Sequence, residues 1–171
     1  GGSCFALGGG VLPPRPSPRL CVPSALHAPR TTGTGGGWGR GGEWAEGLER
    51  FCSAYLPFIH LHAVVAQELL AGSVDQRRER LIAESLILPF ERRGRILTPS
   101  FAAWKGAGRI LSHLIQRNLM SPGGFKRSFL NDCVLADSCR EVGATLVTRN
   151  REDFELIRQV VRFEFTAPWP E

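Results

Sequence analysis

The chain has 171 residues, which is enough for one domain with a hydrophobic core. Hydrophobic residues make up 43% of it and charged residues 22%, which excludes a wholly disordered or fibrous protein. No apolar run approaches the ~18–20 residues of a membrane-spanning helix, and no secretory leader pattern opens the chain. Five cysteines without C-x-x-C spacing disfavour a zinc site or a disulfide framework. We therefore expect a soluble, cytoplasmic protein that does not bind a membrane.

The net charge of +5 comes mostly from residues 1–42, which hold four arginines and no acid. The same residues hold 12 glycines and 6 prolines, a composition that cannot bury enough apolar surface to offset the entropy of ordering. Residues 43–171 are nearly neutral, with 17 basic and 16 acidic side chains. The composition predicts a disordered Gly/Pro/Arg-rich tail over 1–42 and a folded domain over 43–171.

From residue 43 onward, helices are expected to alternate with short strands. An apolar run over 56–61 precedes a helix over 63–71 that Gly72 closes, and a charged helix is expected over 75–87. The remaining expected elements are strands over 95–98, 144–148 and 160–165, and helices starting at Thr98–Pro99, over 128–142 and over 152–157. Strands separated by helices imply a parallel α/β sheet, in which sites gather at the carboxyl ends of the strands.

Acidic residues on apolar faces are the most informative feature of this pattern. Asp132 lies within the apolar face of the 128–142 helix, whereas Asp137 lies opposite and is expected to be solvated. A buried carboxylate needs a partner such as an arginine, backbone amides or a metal, although Asp132 could also simply cap the helix. Glu68 shares its helix with only one other polar residue, Gln67, but a glutamate at a helix edge is common.

A second group of polar residues follows the strand over 144–148. Asn150 and Asp153 lie where that strand meets a helix, and Asp153 as an ordinary helix cap is the alternative. Carboxylates that converge at strand ends suit Mg²⁺ or Mn²⁺, which take oxygen ligands and activate water against a phosphodiester. Arg149 is a candidate contact to nucleic-acid phosphate, or else an ordinary surface residue.

Other chemistry-bearing residues favour structural roles. Cys133 and Cys139 do not share a helix face and are expected to be buried thiols. His60 and His62 have strand spacing without a carboxylate or serine partner in the pattern. Trp104 lies at helical spacing in an apolar stripe and is expected in the core.

Several of these segments, in this order, resemble PIN-domain proteins, particularly VapC-type toxins of toxin–antitoxin pairs. Residues 63–72 (AVVAQELLAG) resemble the second motif of the family. The third and fourth motifs resemble residues 131–136 (NDCVLA), 143–150 (GATLVTRN) and 153–154 (DF). Residues 95–100 (RILTPS), with Trp104, occupy the place of a further segment of such toxins. The resemblance covers roughly residues 56–169, about two-thirds of the chain.

The resemblance implies a PIN-like, three-layer α/β domain with a central parallel sheet. It further implies a Mg²⁺- or Mn²⁺-dependent ribonuclease, often a homodimer, that a small antitoxin neutralises. By resemblance, Glu68, Asp132 and Asp153 are catalytic and metal-binding residues. Asn150 completes the metal site together with Asp153.

The sequence departs from the family pattern at three places. The family opens with a hydrophobic strand that is central in the sheet and ends in Asp, the first metal ligand, but here no Asp precedes Asp75. Asn150 stands where many relatives have Asp, and His62 stands where they have a capping Ser or Thr. We hypothesise that residues 1 to about 50 are an out-of-frame or misassigned start, so that the central strand and one ligand are lost.

Two other functions remain open at this stage. One is a degenerate PIN domain that binds antitoxin or dimerises without enzymatic activity. The other is an RNA-binding tail on an unrelated α/β domain.

Overall fold

A computed structural model describes residues 19–22, 50 and 54–167. Its sheet has five strands: β1 (Arg19–Val22), β2 (Ile59–His62), β3 (Ile96–Leu97), β4 (Ala144–Val147) and β5 (Phe165–Thr166). The spatial order is β3-β2-β1-β4-β5, and every neighbouring pair is parallel. Helices flank this sheet, which confirms the predicted α/β class with a central parallel sheet.

The central strand is the main difference from the sequence prediction. β1 pairs on both sides, with Leu20 in register with Ile59 and Cys21 in register with Leu146. The prediction that the central strand is lost is therefore wrong, and the boundary at residue 43 leaves four residues of the sheet outside the domain. Prolines at 18 and 23 flank this short segment, so its three apolar residues do not stand out from the Gly/Pro-rich composition around them. The other residues of the predicted tail lie outside the described residues.

The helices are α1 (Ala63–Ala71), α2 (Gln76–Ile82), α3 (Leu88–Glu91), α4 (Phe101–Gln116), α5 (Arg127–Val142) and α6 (Arg151–Arg158), with a π-helical segment over Ala83–Ile87. Gly72 and Gly143 end α1 and α5 as predicted, and Gly143 adopts the left-handed conformation with φ of 65°. None of the helices in the described residues has the length and apolar character needed to cross a membrane.

Three boundaries differ from the prediction. The helix expected over 75–87 begins after Asp75, whose carboxylate caps it by accepting a hydrogen bond from Arg78 N. Ser100 rather than Thr98 caps α4, because its hydroxyl accepts a hydrogen bond from Ala103 N at 3.0 Å. The last strand shortens to Phe165–Thr166, since a turn follows α6.

Helix α4 turns its small residues toward the interior. Ala103 and Ala107 are fully buried, whereas Trp104 is 48% exposed and Phe101 is 81% exposed. The prediction that Trp104 lies in the core is therefore wrong. Small side chains let α4 approach α5 closely, and this close approach leaves the two large aromatic residues outside the contact.

Helix α5 is buried around most of its circumference, because it packs against both the sheet and α4. Its buried residues are Phe129, Cys133, Val134, Leu135, Ala136, Asp137, Ser138 and Cys139. Ser100 of α4 bonds Glu141 near the end of α5, so the two helices run antiparallel. We call the contact between them the α4–α5 seam.

Candidate functional site

The predicted site residues come together at the carboxyl edge of the sheet. Glu68 lies on α1, which follows β2, and Asp153 lies in the first turn of α6, which follows β4. Asp132 lies on the second turn of α5. The side-chain amide of Asn150 joins two of them, because its nitrogen donates to Asp132 Oδ2 at 3.1 Å and to Asp153 Oδ2 at 2.8 Å. We call these four residues the acidic edge.

The electrostatics of Asp132 show how closely the carboxylates interact. Burial is the largest of the causes that together raise the pKa of Asp132 from 3.8 to about 7, and the negative charges of Asp153 and Glu68 contribute in the same direction. The hydrogen bond from Asn150 acts in the opposite direction without reversing the shift. Helix capping does not explain Asp132, since Lys126 is the N-cap residue of α5. The acidic edge therefore carries negative charge that its own residues do not neutralise.

Glu68 is held by a residue that the sequence analysis missed as a site residue. Asn131 Nδ2 donates to Glu68 Oε1 at 2.7 Å, and this bond ties α1 to α5. The adjacent Asn131-Asp132 pair near the start of a mostly buried helix was the available signal. An amide beside a carboxylate can bind a second carboxylate on a neighbouring helix.

His62 replaces the capping hydroxyl expected at the start of α1. Its Nδ1 accepts a hydrogen bond from Val64 N at 3.2 Å, and its side chain is fully buried. Burial lowers the pKa of His62 to about 4, which keeps the imidazole neutral and able to accept this bond. The capping hydroxyl of the family pattern is absent here, and the imidazole of His62 caps the helix in its place. Its Nε2 has no hydrogen-bond partner among the described residues.

The buried cysteines are confirmed as thiols of the interior. Cys133 and Cys139 are both fully buried. Burial raises the pKa of Cys133 to about 12, and the nearby charges of Asp132 and Asp153 raise it in the same direction. Cys133 therefore stays protonated beside the acidic edge.

The loop after β4 is ordered by Thr148, another residue missed in the sequence. Thr148 Oγ1 accepts a hydrogen bond from Asn150 N at 3.1 Å, and Thr148 N donates to Thr166 O at 2.8 Å. These bonds fix the loop against β5 and place Asn150 beside the carboxylates. Arg149 is exposed between Thr148 and Asn150, and its contact with nucleic acid stays a prediction.

The chemistry of these donors fits a hard divalent cation, because carboxylate oxygens and excess negative charge are what Mg²⁺ or Mn²⁺ requires. The described geometry is not that of a closed metal site: within residues 19–22 and 54–167, no three His, Cys, Asp or Glu side chains are placed to hold an ion. Amides of Asn131 and Asn150 take one oxygen of each carboxylate instead. β1 also ends at Val22 rather than at an aspartate.

Asp137 corrects the prediction of a solvated residue. It is 3% exposed, accepts a hydrogen bond from Arg140 Nε at 2.8 Å and faces Gly106 across the α4–α5 seam. The prediction failed because α4 covers the face of α5 that a single-sided helix would expose to solvent. Asp137 therefore belongs to helix packing and not to the acidic edge.

No protein-family model and no curated protein matches the sequence. Solved structures match over most of the chain. One is FitAcB from Neisseria gonorrhoeae, with 18% identity, a TM-score of 0.55, and coverage of 88% of this chain and 98% of that chain. Another is DNA-bound VapBC from Salmonella typhimurium, with 15% identity, a TM-score of 0.61, and coverage of 90% and 100%. A third is VapBC2 from Rickettsia felis bound to a fragment of promoter DNA, with 19% identity, a TM-score of 0.56, and coverage of 88% and 98%.

At these identities the comparisons show a shared fold. The PIN-like fold predicted from the sequence is confirmed.

Proposed function

We propose that the chain is the toxin-type component of a toxin–antitoxin pair and that its acidic edge cleaves RNA with Mg²⁺ or Mn²⁺. One observation carries this proposal. Carboxylates from three different helices converge at the carboxyl edge of a parallel sheet, where burial and then their mutual repulsion raise the pKa of Asp132 to about 7. A divalent cation would relieve this repulsion. The fold shared with chains of the FitAcB and VapBC structures supports the same reading.

In this proposal Glu68, Asp132 and Asp153 would hold the cation, and the chemistry it would supply is activation of water and charge stabilisation at the phosphodiester. The protein's own groups set up the site. Asn131 bonds the Glu68 carboxylate, and Asn150 bonds both Asp132 and Asp153. Arg149, exposed on the adjoining loop, would contact a phosphate of the RNA.

The proposed partners are a small antitoxin protein and a second copy of the chain. The matched structures include FitAB bound to IR36 DNA and VapBC bound to DNA, so a protein partner accompanies the matched fold in those complexes. The likeness in fold is the support for assigning a comparable partner to this chain.

Cleavage of a mixed RNA pool by the purified protein tests the proposal. We expect cleavage in Mn²⁺, none in EDTA, and a loss of roughly 100-fold or more in Asp132→Asn, because the variant loses a charge at the reacting centre. Asp75→Asn is the matched control, since asparagine caps a helix about as well as aspartate and Asp75 is exposed. Wild-type rates in Asp132→Asn or in EDTA would contradict the proposal.

A non-enzymatic module that binds antitoxin or dimerises is the second candidate. Two observations favour it: Val22 ends the central strand, where the resemblance to PIN domains implies the first acidic ligand, and Asn150 bonds Asp132 and Asp153 through an amide. A folded chain, verified by circular dichroism, that neither binds Mn²⁺ nor cleaves RNA would establish this candidate over the first.

A further inference from the structure

The geometry around Asn150 points to a role in setting metal affinity. We propose that its side-chain amide holds the carboxylates of Asp132 and Asp153 together and competes with a divalent cation for them. This inference rests on the proposed function, because it concerns the same acidic edge. It differs from that function in naming the neutral residue that decides how tightly the cation binds.

The two hydrogen bonds of Asn150 account for the whole donor capacity of one amide nitrogen. Its Nδ2 carries two hydrogens, and it lies 3.1 Å from Asp132 Oδ2 and 2.8 Å from Asp153 Oδ2. The backbone supports this position, because Asn150 N donates to Thr148 Oγ1 and Thr148 N in turn donates to Thr166 O of β5. Backbone hydrogen bonds at the edge of the sheet therefore fix the position of the amide.

An ordinary helix-capping role does not describe Asn150. It occupies the N-cap position of α6, but its side chain makes no capping hydrogen bond to that helix. The side chain instead bonds one residue of its own helix, Asp153, and one residue of α5, Asp132. A capping residue would satisfy backbone N–H groups, whereas Asn150 satisfies carboxylates.

Competition follows because the amide and a cation need the same oxygens. The amide nitrogen lies within hydrogen-bond distance of both Oδ2 atoms, so a cation that bridged Asp132 Oδ2 and Asp153 Oδ2 would have to displace it. The amide supplies two hydrogen bonds but no net charge, whereas a divalent cation in the same place would supply positive charge to the carboxylates. An aspartate at position 150 would remove the donor and add a ligand, and both changes favour the cation.

Thermal unfolding of the full chain in EDTA and in excess Mn²⁺ tests this role without relying on RNA cleavage. In EDTA, Asn150→Asp should unfold at a lower temperature than wild type, because a carboxylate replaces the donor. In Mn²⁺, it should show a larger rise in Tm, equivalent to about tenfold tighter binding or more. Asn118→Asp is the matched control, since Asn118 lies exposed in the turn after α4 and aspartate tolerates its φ of 56°.

A second variant keeps the test decisive if Asn150→Asp does not fold. Asn150→Ala removes the donor without adding charge, and we expect Mn²⁺ to bind it a few-fold more tightly than wild type. Weaker Mn²⁺ binding by Asn150→Ala would overturn the inference, as it would show that the amide helps to hold the cation.

The outcomes separate this inference from the proposed function. If Mn²⁺ stabilises wild type and Asn150→Asp equally, the role of Asn150 is overturned while the metal site stands. If Mn²⁺ stabilises neither wild type nor either variant, the metal site itself fails, and the inference fails with it.

Discussion

Two carboxylates of helix α5 lie in opposite electrostatic environments. Asp137, in the α4–α5 seam, bonds the guanidinium of Arg140 at 2.8 Å and packs against Gly106. Asp132, at the acidic edge, has two other carboxylates and one amide as its neighbours. Asp137 is paired with an arginine of its own helix, whereas the groups that act on the Asp132 carboxyl are two other acids and an amide. Burial of an acid alone therefore does not indicate function, whereas the charge of its neighbours does.

The balance at the seam depends on space as well as charge, and Gly106→Ala should disturb it most. A Cβ at residue 106 would overlap the Asp137 carboxylate, which must then leave Arg140 or push the helices apart. We expect the free energy of unfolding to fall by about 3 kcal/mol, measured by urea denaturation. Gly108→Ala on the same helix is the control, because no atom lies within 4 Å of its Cβ position. Equal effects of the two substitutions would contradict this account of the seam.

At the start of α1, His62 should make stability depend on pH. Burial lowers its pKa from 6.5 to about 4, so the folded state binds fewer protons than the unfolded state between these values. The contribution of His62 is present above pH 6.5 and is lost as the pH falls toward 4. We expect the difference in unfolding free energy between wild type and His62→Asn to change by about 3 kcal/mol over this window. If the difference in unfolding free energy is the same at both pH values, it reflects lost packing alone, and His62 is not buried as a neutral group.

Asp132 should give a smaller effect of the opposite sign. Its pKa is raised from 3.8 to about 7, so the folded state binds more protons and stability falls as the pH rises between these values. In EDTA above pH 7, Asp132→Asn should therefore be more stable than wild type, on the order of 2 kcal/mol after allowance for its partial exposure. The gain should vanish near pH 4. Urea denaturation at pH 4 and above pH 7 measures this gain in stability. A variant less stable than wild type at neutral pH would show that the ionised Asp132 carboxylate does not destabilise the folded chain.

The acidic edge itself was predictable in outline from the sequence. Glu68, Asp132 and Asp153 are acids in segments whose order resembles the PIN-domain pattern, and parallel sheets bring such segments to one edge. The hydrogen bonds of Asn150 to two of these acids depend on three-dimensional placement. No spacing rule in the sequence gives them.

The parts that sequence analysis missed share a physical reason. A helical-wheel argument assumes one buried face, but α5 is covered by the sheet and by α4, so Asp137 is buried as well. The same close contact of α4 with α5 leaves Trp104 half exposed. The short strand Arg19–Val22 was missed because its four residues have little weight in the composition of residues 1–42. It is part of the sheet because it pairs with a strand on each side, and composition does not show such pairing.

Direct titration of the full chain with Mn²⁺ in a calorimeter tests the central claim that the acidic edge, unlike the seam, is built to take a cation. We predict a single binding event in wild type that Asp132→Asn abolishes and that Asp75→Asn retains. Binding that survives Asp132→Asn unchanged, or a folded wild-type chain that binds no Mn²⁺, would contradict the account.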